Sequence, residues 1–180
     1  LTAFSNRFDN YLSQEASGAV VDGLPEYRVQ AVPARFTGLE ASVRLRVLNA
    51  GQTLDLELRG DTVRATNTAA DRALPRIAPT RLGASLVWAQ GPWGARLDAN
   101  HAAAQRDGPS GHLPVEAYTL IQASLNYRQS FGASTALWYA RLDNATDALA
   151  YSATSILTQT APGRAPLPGR SLKVGVQVQF

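Results

Sequence analysis

The sequence predicts an all-β fold, an antiparallel transmembrane β-barrel segment of about eight strands. Long runs alternate between apolar and polar residues, which is the period of a strand and not of a helix. The last run shows the pattern, with apolar residues at every second position: Leu172, Val174, Val176, Val178 and Phe180. Such runs of about ten residues have the length that a tilted strand needs to cross a bilayer. Short turns and long polar connections join them in alternation, which is typical of outer-membrane barrels.

Composition allows this reading and excludes others. Hydrophobic residues make up 45% of the 180 residues, yet no stretch of about 18 apolar residues occurs, so a transmembrane helix is not expected. The 17 basic and 14 acidic residues are scattered along the chain, and no basic run with interleaved aromatic residues points to nucleic acid. The chain has no Cys and no Met, and no signal peptide is recognisable. We therefore expect a mature chain or a piece of a longer one.

The first two strands are the least regular part of the pattern. We expect a strand from "LTAFSNRF", a long polar connection over about Ser13–Glu26, and a second strand that projects above the membrane. Because proline has no N–H to donate to a ladder, we expect a bulge or break in this second strand near Pro33 to Gly38. A short turn at about Asn49–Gln52 then leads into the third strand.

The remaining strands form hairpins with clear signals. Short turns are predicted at about Gln90–Pro92 and Gln129–Ser134, and an aromatic residue lies on either side of each. Longer polar connections are predicted over about Thr66–Ile77, Gln105–Ala117 and Ala145–Arg164. The short turns would be periplasmic and the long loops extracellular. The aromatic residues would form the girdle at the membrane surface.

The two faces of these strands differ in charge. An Arg or Lys on the lipid face near the midplane would cost about 2–4 kcal/mol, so charged residues must face the lumen. The predicted lumen-facing charges are Glu40, Arg44, Arg46, Asp55, Glu57, Arg59, Arg81, Arg96, Asp98, Arg128, Arg141, Asp143 and Lys173. They could fill a closed eight-stranded barrel or line a wide lumen that holds a plug, and alternation does not separate these cases.

Several segments resemble a known family in the right order. "ARFTGLEASVRLRV", with Gly38 and Glu40, resembles a late barrel segment of TonB-dependent outer-membrane receptors, and "LPRIAPTRLG" resembles a strand start there. "YTLIQASLNYR", "LWYARLDNATDALAY" and "APLPGRSLKVGVQVQF" resemble the closing strands of that barrel. The matching residues in these three are Tyr118, Tyr127, Asp143, Asn144, Asp147, Pro168, Gly169, Arg170 and Phe180. Within this family, the sequence of these segments is most similar to the zinc- and iron-uptake branch.

The resemblance implies that residues 1–180 are the C-terminal part of a transmembrane barrel whose plug domain is absent here. It implies a receptor in the outer membrane of a Gram-negative bacterium that takes up a metal or metal-chelate (a siderophore, haem or zinc). Its implied partners are outer-membrane lipid, the barrel-assembly machinery, the plug and earlier strands, and TonB through the missing N-terminal part. It also implies that the terminal pattern Val176, Val178 and Phe180 is the signal for outer-membrane assembly. No cofactor is expected.

Candidate ligands lie in one predicted extracellular loop. His101 and His112 flank it, with Asp107 and Glu116 nearby, and imidazole and carboxylate groups suit zinc. Their spacing matches no standard ligand motif, and an imidazole at a membrane surface is ordinary, so a structural role is the competing interpretation. No catalytic motif is present, and we expect no enzyme.

Two further classes of protein fit part of the pattern. A self-contained eight-stranded outer-membrane barrel with a structural or adhesive role would show the same alternation. A soluble lipocalin-like binder is disfavoured, because its interior would be apolar and its exterior polar.

Overall fold

The computed structural model describes residues 1–109 and 111–180, with the side chains of all of them except residues 24 and 25. Nine strands and one short helix lie within these ranges. They are β1 (Thr2–Val21), β2 (Leu24–Asn49), β3 (Thr53–Asn67), β4 (Arg72–Ala73), β5 (Arg81–Gln90), β6 (Trp93–Ala102), β7 (Tyr118–Phe131), β8 (Ser134–Asp143), α1 (Ile156–Thr160) and β9 (Ser171–Gln179).

The strands form one antiparallel sheet in which neighbours in sequence are neighbours in space. The order is β1-β2-β3-β5-β6-β7-β8-β9, and the two-residue β4 pairs with the upper end of β3. Among the described residues β1 and β9 do not pair with each other, so both edges of the sheet are open. This up-and-down arrangement of eight long strands confirms the predicted fold class.

Short turns occur on one side of the sheet and long connections on the other. Gly51, Gly91 and Gly132 occupy the short turns with positive φ, a conformation that costs glycine little. This confirms the three predicted short turns. The long loops after β3, β6 and β8 also lie where they were predicted, and the β6–β7 loop is held by a bridge between Gln105 and Val115.

The expected loop over about Ser13–Glu26 is wrong. β1 continues to Val21 and β2 begins at Leu24, so the segment is a two-stranded ribbon that turns at Asp22 and Gly23. Both turn residues have positive φ, as an Asp-Gly hairpin turn requires. The Asp-Gly pair was the signal that could have identified the ribbon.

The expected break in the second strand near Pro33 to Gly38 is also wrong. β2 is one strand of 26 residues that passes through Pro33 without interruption. The irregularity lies in its partner, where the register shifts between Phe8 and Tyr11 of β1, opposite Pro33. A bulge in β1 therefore accommodates the missing N–H, while the carbonyl of Pro33 accepts a hydrogen bond from the Thr68 N–H at 2.9 Å.

A small apolar core lies at the upper end of the sheet. Val32 and Ala34 of β2 and Ala65 of β3 are buried beneath Leu74, which follows β4 and is 1% exposed. Tyr11, Phe36 and Ile77 pack against them. This core fixes the β3–β5 loop over the sheet. In the part of the chain that the structure describes, no helix has the length and hydrophobicity needed to span a membrane.

Candidate functional site

The sheet has one apolar face, which is exposed. Cross-strand pairs such as Leu45 with Leu56 and Leu86 with Leu97 place the alternating apolar residues on this common face. Large side chains remain bare there, with Val174 72% exposed and Leu39 50% exposed. The pairing places on one face the large apolar residues of the alternating runs, opposite the predicted lumen-facing charges: Leu39, Val43, Leu45, Leu54, Leu56, Leu86, Leu97, Ile121, Leu125, Leu142, Val174, Val176 and Val178. We call this surface the lipid face.

Tryptophan marks the lower boundary of the lipid face, beside the short turns. The indole N–H of Trp88 donates to Gln52 Oε1 at 2.7 Å, and that of Trp138 donates to Gln129 Oε1 at 3.1 Å. Trp93 packs against Tyr127 in a tilted arrangement with ring centroids 4.5 Å apart. Rings with an apolar body and a satisfied polar edge are those that outer-membrane barrels place at the membrane surface.

Paired hydroxyl and imidazole groups mark the upper boundary. The Thr62 and Thr80 hydroxyls lie 2.9 Å apart, and His101 Nδ1 lies 2.9 Å from Thr119 Oγ1. From Leu39 to Val47 the apolar band of β2 covers eight residue steps, which at about 3.4 Å each and a tilt of about 40° rise roughly 21 Å. This height approaches the apolar band of about 25 Å that outer-membrane barrels present to lipid.

The opposite face, which we call the inner face, carries a network of charges in the same band. Asp55 is 3% exposed and lies between two arginines, with Arg44 Nη2 2.6 Å from its carboxylate and the Arg46 guanidinium also hydrogen-bonded to it. Glu57 lies 3.3 Å from Arg44 and 3.0 Å from Arg96. Cross-strand ion pairs thus link β2, β3 and β6 on the inner face.

Small residues make room for the longest side chains of this network. Arg59 lies across Gly83, where an added Cβ would come within 2.6 Å of the Arg59 Nε. Arg59 donates to Asn100 Oδ1, and Arg96 donates to both oxygens of Asp98 at 2.9 and 3.0 Å. Ser85, 1% exposed, donates to Asp98 at 2.6 Å. A side chain at position 83 would displace Arg59 from this layer.

A second inner-face cluster of charges lies between β8 and β9, at the end of the sheet. Asp143 accepts hydrogen bonds from Arg141 at 2.7 Å and from Lys173 at 2.9 Å. The next residue, Asn144, has a φ of 46°, accepts from the Ala148 N–H at 2.9 Å and donates to the Pro168 carbonyl at 3.2 Å. Asp147 accepts from the Arg170 N–H at 2.9 Å. Through these backbone contacts the side chains of Asn144 and Asp147 cap the turn that follows β8.

The four predicted metal ligands make different contacts in the structure. His101 is part of the polar boundary of the lipid face, and Glu116 lies 3.8 Å from Arg106. The Asp107 N–H donates to Gln105 Oε1 at 3.1 Å. Within residues 1–109 and 111–180, no group of three or more His, Asp or Glu side chains is arranged to hold a metal ion. The metal-ligand assignment therefore stays a prediction.

His112 is the candidate with an unusual environment. Its Nε2 atom is buried and has no hydrogen-bond partner among the described residues. Its ring packs against Gly108, where an added Cβ would overlap it, and its backbone N–H donates to the Pro109 carbonyl at 3.0 Å. Burial lowers the pKa of the His112 imidazole below its usual value, so the neutral ring is favoured in this loop.

The predicted assembly residues lie on the lower part of β9. Val176 pairs with Trp138 and Val178 pairs with Ala136, both on the lipid face. Phe180 follows the end of β9 and is 97% exposed. The other edge of β9 is free of strand partners in the described ranges, so its backbone groups are open to further pairing.

Comparison with known proteins identifies the family. The chain matches 34 solved chains, among them one described as a copper transporter, OprC, with a TM-score of 0.78 and 18% sequence identity. The match covers 97% of this chain and 27% of that protein, so the chain spans about a quarter of its length. No curated protein matches the sequence. The family model described as TonB dependent receptor-like, beta-barrel matches residues 1–151, and the chain belongs to this family of outer-membrane receptor barrels.

Proposed function

We propose that this chain is the C-terminal part of the barrel of a TonB-dependent receptor that takes up a metal or metal-chelate across the outer membrane of a Gram-negative bacterium. The observation that carries the proposal is the open, two-faced sheet. Its apolar face suits lipid, its charged face suits a wet lumen, and its two outer strands lack partners among the described residues.

The open edges call for further strands. In lipid every backbone N–H and C=O must be satisfied within the protein, and a barrel achieves this only when it closes. Eight long strands that do not pair end to end are therefore part of a larger wall. The self-contained eight-stranded barrel with a structural or adhesive role is the less favoured function, because it needs a β1–β9 pair.

The inner face supports a lumen filled by another part of the same receptor. Charges such as Arg59 and Arg96 face inward in a band flanked by lipid on the other side. A wide barrel leaves such a face either wet or covered by a plug. The partners we propose are therefore a plug domain and earlier strands, with TonB acting through the N-terminal part of the receptor.

The cargo we propose is a metal ion or its chelate, such as a siderophore, haem or zinc. The similarity to a copper transporter supports a metal, although at 18% identity the likeness extends to the fold alone. The zinc- and iron-uptake branch remains part of the proposal. Asp107, His112 and Glu116 are the side chains of this chain that we assign to contact with the cargo at the extracellular side, whereas His101 lies on the lipid face.

The lower end of β9 has a second proposed role. Val176, Val178 and Phe180 would pair with the barrel-assembly machinery by strand addition, which uses backbone hydrogen bonds for affinity and alternate side chains for specificity. The free edge of β9 presents the backbone groups that this mode needs.

The test is metal uptake by cells that carry the full-length parent. Iron, zinc and copper chelates are supplied in turn, and accumulation is compared between cells with the intact gene and cells without it. We expect one metal to accumulate only with the gene, and only while the inner membrane is energised. If cells with and without the gene accumulate each of the three metals equally, the uptake function is contradicted. A reading frame for a plug domain upstream of Leu1 is the matching genetic observation.

A further inference from the structure

The lipid face changes character at a sharp level on its first three strands. Leu58 lies within the apolar band, and the paired residues Ala3, Leu39 and Thr62 form its uppermost row. The next outward-facing row carries Ser5, Thr37 and Arg64. The face that is apolar in the membrane band is thus hydroxyl-rich directly above it. This level matches the upper boundary formed by the Thr62–Thr80 and His101–Thr119 pairs.

Three arginines form a row immediately above this boundary. Arg7 of β1 is the direct partner of Arg35 of β2, and Arg64 of β3 is the partner of Thr37. Direct partners in an antiparallel pair have Cβ atoms about 4.5–5.5 Å apart and diagonal ones about 7–8 Å, so Arg35 neighbours both of the others. All three side chains are exposed on the outer side of the sheet.

This row is not neutralised within the described residues. Arg7, Arg35 and Arg64 have no carboxylate oxygen within 4.0 Å and make no side-chain hydrogen bond there, whereas inner-face arginines such as Arg44 and Arg96 do both. Asp9, two residues beyond Arg7 on β1, is the one acidic residue within two positions of any of the three arginines in the sequence. Three positive charges therefore face one negative charge, and the local charge is positive. Like charges directly opposite one another destabilise a strand pair. The row therefore gains from an external anion.

We propose that Arg7, Arg35 and Arg64 bind the phosphate groups of a lipid headgroup in the extracellular leaflet of the membrane. This inference rests on the proposed function, because the receptor's location supplies the membrane and its orientation. Guanidinium groups bind phosphate through paired, charge-assisted hydrogen bonds. The hydroxyls of Ser5, Thr37 and Thr66 on the same face are further donors to the same anion.

Height and shape select a lipid over a free anion. Arg35 stands four residues beyond Leu39, which is about 10 Å higher at about 3.4 Å per residue and about 40° of tilt. A long side chain can reach down from there to the headgroup level while its stem covers apolar surface. The lipid's acyl chains would lie on the exposed side chains directly below, Leu39, Val43 and Leu58. A free phosphate would gain nothing from that apolar surface.

The test uses the full-length parent purified in detergent and titrated with lipid A, a phosphorylated glycolipid, with native mass spectrometry as the readout. The test variant is Arg35→Gln with Arg64→Gln. The control is Arg28→Gln with Arg164→Gln, which removes equal charge from the ribbon tip and the β8–β9 loop. Because charge-assisted hydrogen bonds are lost, we expect the affinity of the test variant for lipid A to fall by a factor of about ten or more. The control should bind lipid A as tightly as the unsubstituted protein.

Three results would overturn the proposal. They are no binding of lipid A by the unsubstituted protein, equal binding by the test variant, or equal binding of lipid A from which the phosphates have been removed. Competition by inorganic phosphate at the same concentration as lipid A would point to a free-anion site instead. Metal uptake by cells carrying the test variant separates this inference from the proposed function. If these cells still take up metal while the variant no longer binds lipid A, the substitutions have removed the lipid site and left transport intact.

Discussion

The membrane band and the part of the sheet above it carry opposite chemistry on the same two faces. In the band the outer face is apolar and bare, as at Val43 and Leu45, while the inner face holds the buried carboxylate of Asp55. Above Gly38 the outer face carries Arg35 and the inner face buries Val32, Ala34, Ala65 and Leu74. The apolar face is therefore the outer face in the lower part of the sheet and the inner face in the upper part, because the lower part is surrounded by lipid and the upper part by water.

The comparison teaches where the membrane ends. A strand's side chains alternate wherever it runs, so alternation alone does not locate a boundary. The reversal of which face is apolar does, and it occurs between Leu39 and Thr37 on β2. The upper core then acts as a soluble core would. Tyr11 and Phe36 pack with ring centroids 5.1 Å apart beneath the β3–β5 loop.

The largest expected effect comes from a charge placed below the reversal. Val43→Arg puts a guanidinium on the lipid face within the apolar band and should destabilise the folded parent by about 2–4 kcal/mol. Thr37→Arg, on the same face of the same strand but above the boundary, should cost about 0–1 kcal/mol. Urea unfolding in lipid vesicles measures both. Similar losses for the two variants would refute the boundary.

A smaller effect is expected from truncation in the upper core. Leu74→Ala removes a side chain that is 1% exposed and should cost about 2–3 kcal/mol, the low end for Leu→Ala because the cluster is small. The loss should be confined to the β3–β5 loop, since local openings need not involve the whole fold. Protease cleavage within residues 68–80 should rise while the unfolding midpoint of the barrel holds. Leu113→Ala, half-exposed in another loop, is the control.

The smallest expected effect is on the β6–β7 loop and depends on pH. Burial lowers the pKa of His112 in the fold, so the open loop binds more protons than the closed one. The stabilisation is complete above the open-loop pKa of about 6.5 and declines as the pH falls from there towards the lowered pKa. Hydrogen exchange in residues 105–115 should therefore quicken at pH 5 relative to pH 8.

The control for the pH effect is His112→Gln, which removes the titrating group. Its hydrogen exchange, corrected for the intrinsic pH dependence of the chemistry, should not change between the two pH values. A loop that loosens equally in this variant would assign the effect to another group, such as the Arg106–Glu116 pair at 3.8 Å.

The sequence by itself determined the strands of the membrane band and their register. A slip of one residue would turn Leu54, Leu56 and Leu58 inward and Asp55 and Glu57 into lipid, so the alternation admits one solution. The short turns followed from Gly51, Gly91 and Gly132, because a tight hairpin turn needs positive φ. The turn-capping role of Asn144 and Asp147 was also legible, since Asx side chains bond nearby backbone groups.

Only the tertiary structure decided what lies above the band and which charges meet. The polar sequence of Ser13–Glu26 predicts a loop because it lacks the apolar outer face that lipid imposes, yet strands that face water on both sides do not need such a face. The bulge opposite Pro33 belongs to β1, and no pattern in β2 could assign it to its partner. The contact of Arg96 with Glu57, 39 residues away in sequence, arises from strand pairing. Likewise the row of Arg7, Arg35 and Arg64 exists only because pairing brings three distant strand segments side by side, with Arg7 directly opposite Arg35 and Arg64 diagonal to it.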